Sequence, residues 1–214
     1  MRRTKAEAEQ TRNDLLDAAE QLFDQRGVSS TSLADIAKAA GVTRGAVYWH
    51  FTDKEDLLKS MCERTCLPFD HLTEQLLAEL PGGALAALRR HYLAVFEEVV
   101  RSPRTRQVFN ILWNKYECPD DNSPVMQRRR QHLDEEHQLL TTVLRAAREQ
   151  GELRHPGELD DLAVILQTVV MGLIELWLAD PNRFAIETRS RAYVDILMGV
   201  LGMAPEGSGS APKV

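Results

Sequence analysis

The stretch that decides the fold runs from Thr31 to Lys54, TSLADIAKAAGVTRGAVYWHFTDK. Its pattern predicts two short helices joined by a tight turn. Ser32 is placed to cap the first, with Asp35 three residues on as its capping-box partner. Ile36, Ala37 and Ala40 form the inner face. Gly41 supplies the turn, because a helix-ending position at positive φ is cheap only for glycine. Thr43 caps the second helix, which spans about residues 43–50 and turns Val47 and Phe51 inward. Thr52 and Glu55 open the next helix as another capping box. Small Ala37 and Ala40 let the two helices cross closely, as in a helix-turn-helix whose second helix enters the DNA major groove.

An ordinary helix pair shows the same spacing, so the residues after Gly41 carry the distinction. Arg44, Gly45, Tyr48, Trp49, His50 and Lys54 are polar-tipped, aromatic or absent side chains on the outer face of a short helix. A merely solvated face has little use for Tyr48 and Trp49 side by side. A groove-reading helix does: Arg44 can reach guanine, Gly45 lets the backbone come close, and the phenol and imidazole can bond phosphate.

The run ADIAKAAGVTRGAVYWHFTDKEDL resembles the DNA-binding signature of the TetR family of bacterial repressors. The opening RRTKAEAEQTRNDLLDAAEQLF and the later RTRQVFNILWNKYEC are similar to its AcrR-like subgroup of multidrug efflux-pump regulators. The likeness covers most of the chain and is strongest to about Leu58. It implies a ligand-responsive repressor that leaves its operator when a hydrophobic or aromatic compound binds. It places Ser32, Thr43, Arg44, Gly45, Tyr48, Trp49, His50 and Lys54 at the DNA. Arg44 and Gly45 approach bases; Thr43, Tyr48, Trp49, His50 and Lys54 hold phosphates or flank the groove.

Composition agrees with an all-α protein. Of 214 residues, 43% are hydrophobic, enough for a sizeable core, and no run alternates β-branched residues. A net charge of −6 argues against a protein that coats nucleic acid generally, but not against a local reading head. Arg2, Arg3, Lys5 and Arg12 oppose only Glu7 and Glu9 in the first twelve residues. Three cysteines, Cys62, Cys66 and Cys118, leave at least one unpaired, and no signal peptide precedes the first helix, so the expected compartment is the cytoplasm with reduced thiols.

In chain order, residues 1–8 read as a charged arm. A first helix follows to about Gln25, with Leu15, Leu16, Ala19, Leu22 and Phe23 on one face. The fourth helix starts near Lys54 and heads for Leu80, with a kink or break expected at Pro68. Helices are expected at Ala84–Arg101, about Arg104–Glu117, about Val125–Gln150, Leu159–Leu178 and about Phe184–Leu201. Cys118–Pro124 reads as a polar loop. The expected domains are a DNA-binding head at 1–55, a helical ligand-binding and dimerisation domain at 56–202, and a disordered tail at 203–214.

Leu162–Leu178 is apolar nearly all round but interrupted by Gln167, Thr168 and Glu175, so it reads as a deeply buried soluble helix. Tyr193, Ile196, Leu197, Val200 and Leu201 give the last helix a broad stripe. Part of this surface is expected to meet a second copy, with Gly172 and Thr168 allowing close approach. The resulting four-helix homodimer interface, which the family uses, sets two heads on a near-palindromic operator.

The middle helices carry aromatic residues beside amides. Phe109, Trp113 and Tyr116 share one helix face by their three- and four-residue spacing. Such residues are more often core than pocket; the resemblance implies a cavity that takes bulky aromatic or cationic antimicrobial compounds. The expected ligand-binding residues are Phe96, Phe109, Trp113, His132, Leu139, Val170, Ile174 and Trp177; Glu175 and Glu117 read equally as counter-charges for a cation or as solvated carboxylates. His132, His137, Glu135 and Glu136 read as a solvated charged face. No cofactor, metal site or catalytic motif is expected: Cys62, Cys66 and His71 lack zinc-site spacing, and no P-loop, G-x-S-x-G or H-E-x-x-H occurs. Two alternatives stay open. One is a regulator that senses a metabolite or an oxidant through Cys62 and Cys66. The other is a helical ligand-binding or enzymatic protein that keeps its head only as structure.

Overall fold

The computed structural model describes residues 4–117 and 123–203. Nine α-helices and no strands occur among the described residues: α1 Lys5–Arg26, α2 Leu33–Ala39, α3 Arg44–His50, α4 Lys54–Glu79, α5 Ala84–Arg101, α6 Pro103–Asn110, α7 Pro124–Glu149, α8 Leu159–Ala179 and α9 Ile186–Val200. A 3-10 turn, Leu80–Gly82, precedes α5, and one π-helical turn, Ile111–Lys115, extends α6. All of the expected 203–214 tail but Met203, most of the loop at 118–124 and the tip of the arm lie outside the described residues.

The chain forms two compact units: residues up to 67 with 103–131, and 68–102 with 132 onward. The first is built on α1. Its start differs from the expected arm, because Thr4 accepts the Glu7 amide and Glu7 returns a bond to the Thr4 amide. This capping box starts the helix at Lys5. Leu15, Leu16, Ala19, Leu22 and Phe23 are buried as expected, packed with Ile36, Ala37, Val47, Phe51, Leu57, Leu58 and Met61. Burying each of these side chains larger than alanine stabilises by about 1.5–3 kcal/mol. Val108, Ile111 and Val125 join the same core, so α6 and the start of α7 belong with the head.

Polar bonds fasten α6 along α1. Arg104 bonds Asp17 at 2.7 Å, Gln107 donates to the Glu20 carbonyl at 3.2 Å, and Asn110 donates to Asp24 at 2.9 Å. Lys115, at the end of the π turn, bonds both the carbonyl and the carboxylate of Asp24.

In the second unit α5 packs on α9 and α8. Leu88, Tyr92, Phe96 and Val99 of α5 are buried, as are Leu162, Leu166, Val170, Ile174 and Trp177 of α8. Gly83 offers no capping side chain, so the first donors of α5 go elsewhere: Ala84 to Gln150 at 3.1 Å and Leu85 to Glu152 at 2.9 Å. Arg89, nearly buried, meets Asp195 of α9 at 2.8 Å.

Three expectations change here. Pro68 sits inside α4, so the alternative of a break there does not hold; the missing donor does not stop the helix, although the two units divide at that residue. The cap of α4 is made by Asp53 and Asp56, not Thr52 and Glu55: Asp53 accepts the Asp56 amide, and Asp56 accepts the Thr52 amide. Finally, α8 is not deeply buried all round. It is long and apolar enough to cross a membrane by length and hydropathy. One side is in the core, while Val164, Ile165, Val169 and Leu176 are exposed.

Candidate nucleic-acid interface and ligand site

Local chemistry sets the reading helix. Ser32 caps α2 and Asp35 returns the bond, which lowers the Asp35 carboxyl below its ordinary range, chiefly through the Ser32 hydroxyl. Gly41 turns the chain at φ 67°, and Thr43 caps α3 through the Ala46 amide at 3.3 Å. Val47 is fully buried and anchors α3. A seven-residue helix anchored on one side presents its other side outward.

That outer side carries the expected residues. Thr43, Arg44, Gly45, Tyr48 and Trp49 are exposed, with Trp49 at 72%. His50 is half-buried and meets the Trp49 ring edge-on at 4.5 Å. Arg44 donates to the Tyr48 hydroxyl at 3.2 Å, and its guanidinium lies 5.5 Å from the centre of that ring. The phenol contact raises the Arg44 pKa further. Tyr48 therefore stiffens the arginine and holds its fork at the helix surface. A solvated 72%-exposed tryptophan is costly unless something covers it. The grouping of a fixed guanidinium, two aromatic rings and a bare glycine suits a groove.

Ser32 and Lys54 stand differently. Ser32 spends its hydroxyl on the cap. Lys54 donates to the Val28 carbonyl at 2.9 Å and closes the loop before α2. Arg12, counted with the basic arm from sequence, bonds Ser60 at 2.8 Å and lies 5.2 Å over the Phe51 ring.

The expected ligand residues are divided between the two units, Phe109 and Trp113 in the first and the other six in the second. Phe109 and Trp113 are half-buried in the first unit, their rings 5.0 Å apart. Tyr116 is not on their face. It follows the π turn in extended backbone, packs on the head core and bonds Glu55. Glu117, a candidate counter-charge, accepts from Ser29 at 3.2 Å. In the second unit Phe96, Val170, Ile174 and Trp177 are buried, Leu139 is half-buried, and His132 is exposed, as is Glu175. A shallow groove of about 190 Å³ between α4 and α5 is lined by Pro68, Leu72, Ala94, Glu97, Glu98 and Arg101, none of them expected.

The supposedly solvated face of α7 also changes. Glu136 is turned in and half-buried, and Gln167 of α8 donates to it at 3.2 Å. Burial raises its carboxyl above the ordinary range, against that hydrogen bond. Tyr92 is fully buried, and its phenol is pushed well up by burial and then by the Glu136 charge. Tyr92 Oη and Trp177 Nε1 have no hydrogen-bond partner among the described residues. Sequence could not supply this group: Glu136 sits in a run of charges, and only the fold brings Tyr92 and Gln167 to it.

Cys62 is buried, and burial, with Cys66 next, pushes its thiol up to about 12. A thiol so rarely ionised is a poor oxidant sensor.

Comparison with known proteins follows this geometry. Residues 15–61 match the model of "Bacterial regulatory proteins, tetR family", and residues 83–203 match "MAATS-type transcriptional repressor, C-terminal region". The chain is 39% identical over 207 residues to the HTH-type transcriptional regulator TtgR of Pseudomonas putida, covering 96% of this chain and 98% of that one. It is similar to the solved structure of NalD, the secondary repressor of the MexAB-OprM multidrug efflux pump in Pseudomonas aeruginosa. That match has a TM-score of 0.83 and 30% identity, over 92% and 98% of the two chains. It is also similar to SmeT, repressor of a Stenotrophomonas maltophilia multidrug efflux pump, solved as a triclosan complex, with a TM-score of 0.76 and 28% identity over 95% and 98%.

Proposed function

This chain belongs to the TetR family of transcriptional regulators, and from that premise we propose how it works: as a dimeric cytoplasmic repressor of a multidrug efflux operon. Thr43, Arg44, Gly45, Tyr48, Trp49 and His50 form its contact with DNA. Arg44 reads bases, and the rest seat the helix against phosphates and the groove wall. Lys54 supports the interface by bracing the loop before α2, with Ser32 capping that helix. The observation that carries the reading is the exposed α3 ridge over a fully buried Val47.

The dimer face is the apolar surface that this chain leaves open. Ile165, Val169 and Leu176 recur along one side of α8, and Ile196 and Val200 along α9, all exposed. Gly172 and Gly199 lie on these sides, and a Cβ on either would meet nothing within 4 Å. A mid-helix glycine costs about 1 kcal/mol relative to alanine. Nothing among the described residues requires that cost, whereas a close-packed partner helix does.

A hydrophobic or aromatic compound taken up by the helices beyond the head would shift the protein toward a shape with misplaced heads. Only its difference in affinity between the two shapes drives release, typically ~1–3 kcal/mol. The similarity to efflux-pump repressors and to a triclosan-bound relative supports this inducer class. The raised Cys62 thiol speaks against the oxidant-sensing alternative. The test is a gel shift with the DNA flanking its own gene, followed by titration of a broad panel of drug-like compounds. Retarded DNA that some of the panel releases is expected. DNA that is never retarded sinks the repressor; DNA that none of the panel releases sinks the drug-inducer model.

A further inference from the structure

The exposed apolar stripe on α8 and α9 carries two charges that nothing within the chain explains. Glu175 follows Gly172 by three residues, Thr168 by seven and Val164 by eleven, so it shares their side of α8. Arg189 precedes Ile196 by seven residues and Val200 by eleven, which puts it on their side of α9. Both are exposed, and the side chain of neither has a hydrogen bond or an ion pair among the described residues.

Neither helix gains from its own charge. Glu175 stands four residues before the end of α8 at Ala179, and Arg189 is the fourth residue of α9, which starts at Ile186. A helix favours cations near its C-terminus and anions near its N-terminus, so each sign is toward the unfavourable end. Asp161, another acid on this side of α8, differs: it lies in the first turn, where the helix favours an acid.

A two-fold dimer on this face brings two copies of each charge beside an apolar contact. Left unpaired there, each opposes association. An isologous face that holds one acid and one base has its own remedy: α8 of one protomer meets α9 of the other, twice over, and every acid finds a base.

We propose that Glu175 of each protomer pairs with the partner's Arg189, and that these two bridges make the face select a second copy of this chain. This rests on the dimer reading above and adds what the interface recognises. A chain with the apolar stripe but without the two charges leaves both groups unpaired and is rejected.

The test reverses the charges in the full-length protein. Sedimentation measures dimerisation, and native mass spectrometry separates homodimers from heterodimers. Both positions are exposed, so neither reversal disturbs the fold of the chain. E175R and R189E alone each set like charges against each other twice, and the dimer Kd should rise roughly 100-fold. Mixed in equal amounts, the two variants should form the heterodimer almost alone, since every charge of one then faces its opposite on the other. The double variant E175R/R189E should dimerise within about threefold of the wild type. Single reversals that dimerise as tightly as the wild type, a statistical share of heterodimer in the mixture, or a double variant no tighter than the singles overturns the proposal. So does D161R if it replaces E175R in the selective heterodimer, because Arg189 then pairs with Asp161. A wild-type monomer removes the dimer reading and this pair with it; a wild-type dimer indifferent to the reversals removes only the pair.

Discussion

The Tyr116 hydroxyl donates to the Glu55 carboxylate, 2.7 Å from one oxygen and 2.9 Å from the other, and lies 3.0 Å from the Ser123 hydroxyl. One side chain thus joins the segment after the π turn to the first turn of α4. Tyr116→Phe keeps the ring and removes the bond, leaving a part-buried carboxylate short of a donor. A loss of about 1–3 kcal/mol is expected, read as a lower urea midpoint with an unchanged slope. An unchanged midpoint would show that the bond carries no net stability.

Arg44 and Tyr48 give the second prediction. Arg44→Ala should cost roughly 1–3 kcal/mol of operator binding and relax preference at one base pair. Tyr48→Phe keeps the ring but frees the guanidinium from its 3.2 Å bond. It should blunt discrimination with less loss of affinity. Binding to an operator and to single-base variants at fixed salt measures both. Preference that survives Arg44→Ala rules out base reading by this residue.

How far could these relationships be read from the chain alone? The head was legible because its determinants are local. The Ser32–Asp35 box, the Gly41 turn and the spacing of Ile36, Ala37 and Val47 all lie within one turn or one contact. Tyr116 was not. Grouping it with Phe109 and Trp113 assumes 3.6 residues per turn, and the π turn at Ile111–Lys115 breaks that period. Glu136 was hidden for another reason. Its neighbours on α7 are charged, so the sequence shows a solvated face, and only tertiary packing turns one carboxylate inward.

The exposed stripe on α8 and α9 gives the third prediction. Ile196 is 69% exposed within the chain, so Ile196→Glu costs the isolated fold little. In a close-packed dimer interface it would bury a carboxylate without a partner, at several kcal/mol. Sedimentation should show a dimer in the wild type and a folded monomer in the variant. A wild-type monomer at micromolar concentration would place the interface elsewhere or abolish it.

Cys62 supplies a prediction with a definite sign. The thiol, pushed up to about 12, is an acid whose folded pKa exceeds its ordinary value of 9.0. Between those values the unfolded chain has lost the proton and the folded one keeps it. The folded state then binds more protons, so stability falls as pH rises through that window. Cys62→Ala should flatten this alkaline loss in urea titrations. At pH 7.5 the thiolate population is about a thousandfold below that of a free cysteine. Iodoacetamide should therefore spare Cys62 in the native protein and label it in urea. Rapid native labelling at this position would contradict its burial.

Glu20 is the most exacting position in the first unit. Its carboxylate, 4% exposed, pairs with Arg64 of α4 and with Arg104 of α6 at 3.3 Å, while Asp17 takes the same two arginines at 2.9 and 2.7 Å. Three helices thus share two carboxylates and two guanidiniums. Removing one partner from such a group leaves a buried charge uncompensated, so Glu20→Gln should cost about 3–5 kcal/mol. Replacing the buried pair together, Glu20→Leu with Arg64→Met, removes both charges and should cost far less, or nothing. Urea unfolding of the three proteins separates the cases. If the single variant is no worse than the double one, the cluster is a solvated surface network worth ~0–1 kcal/mol, and the packing of α1, α4 and α6 rests on their apolar contacts alone.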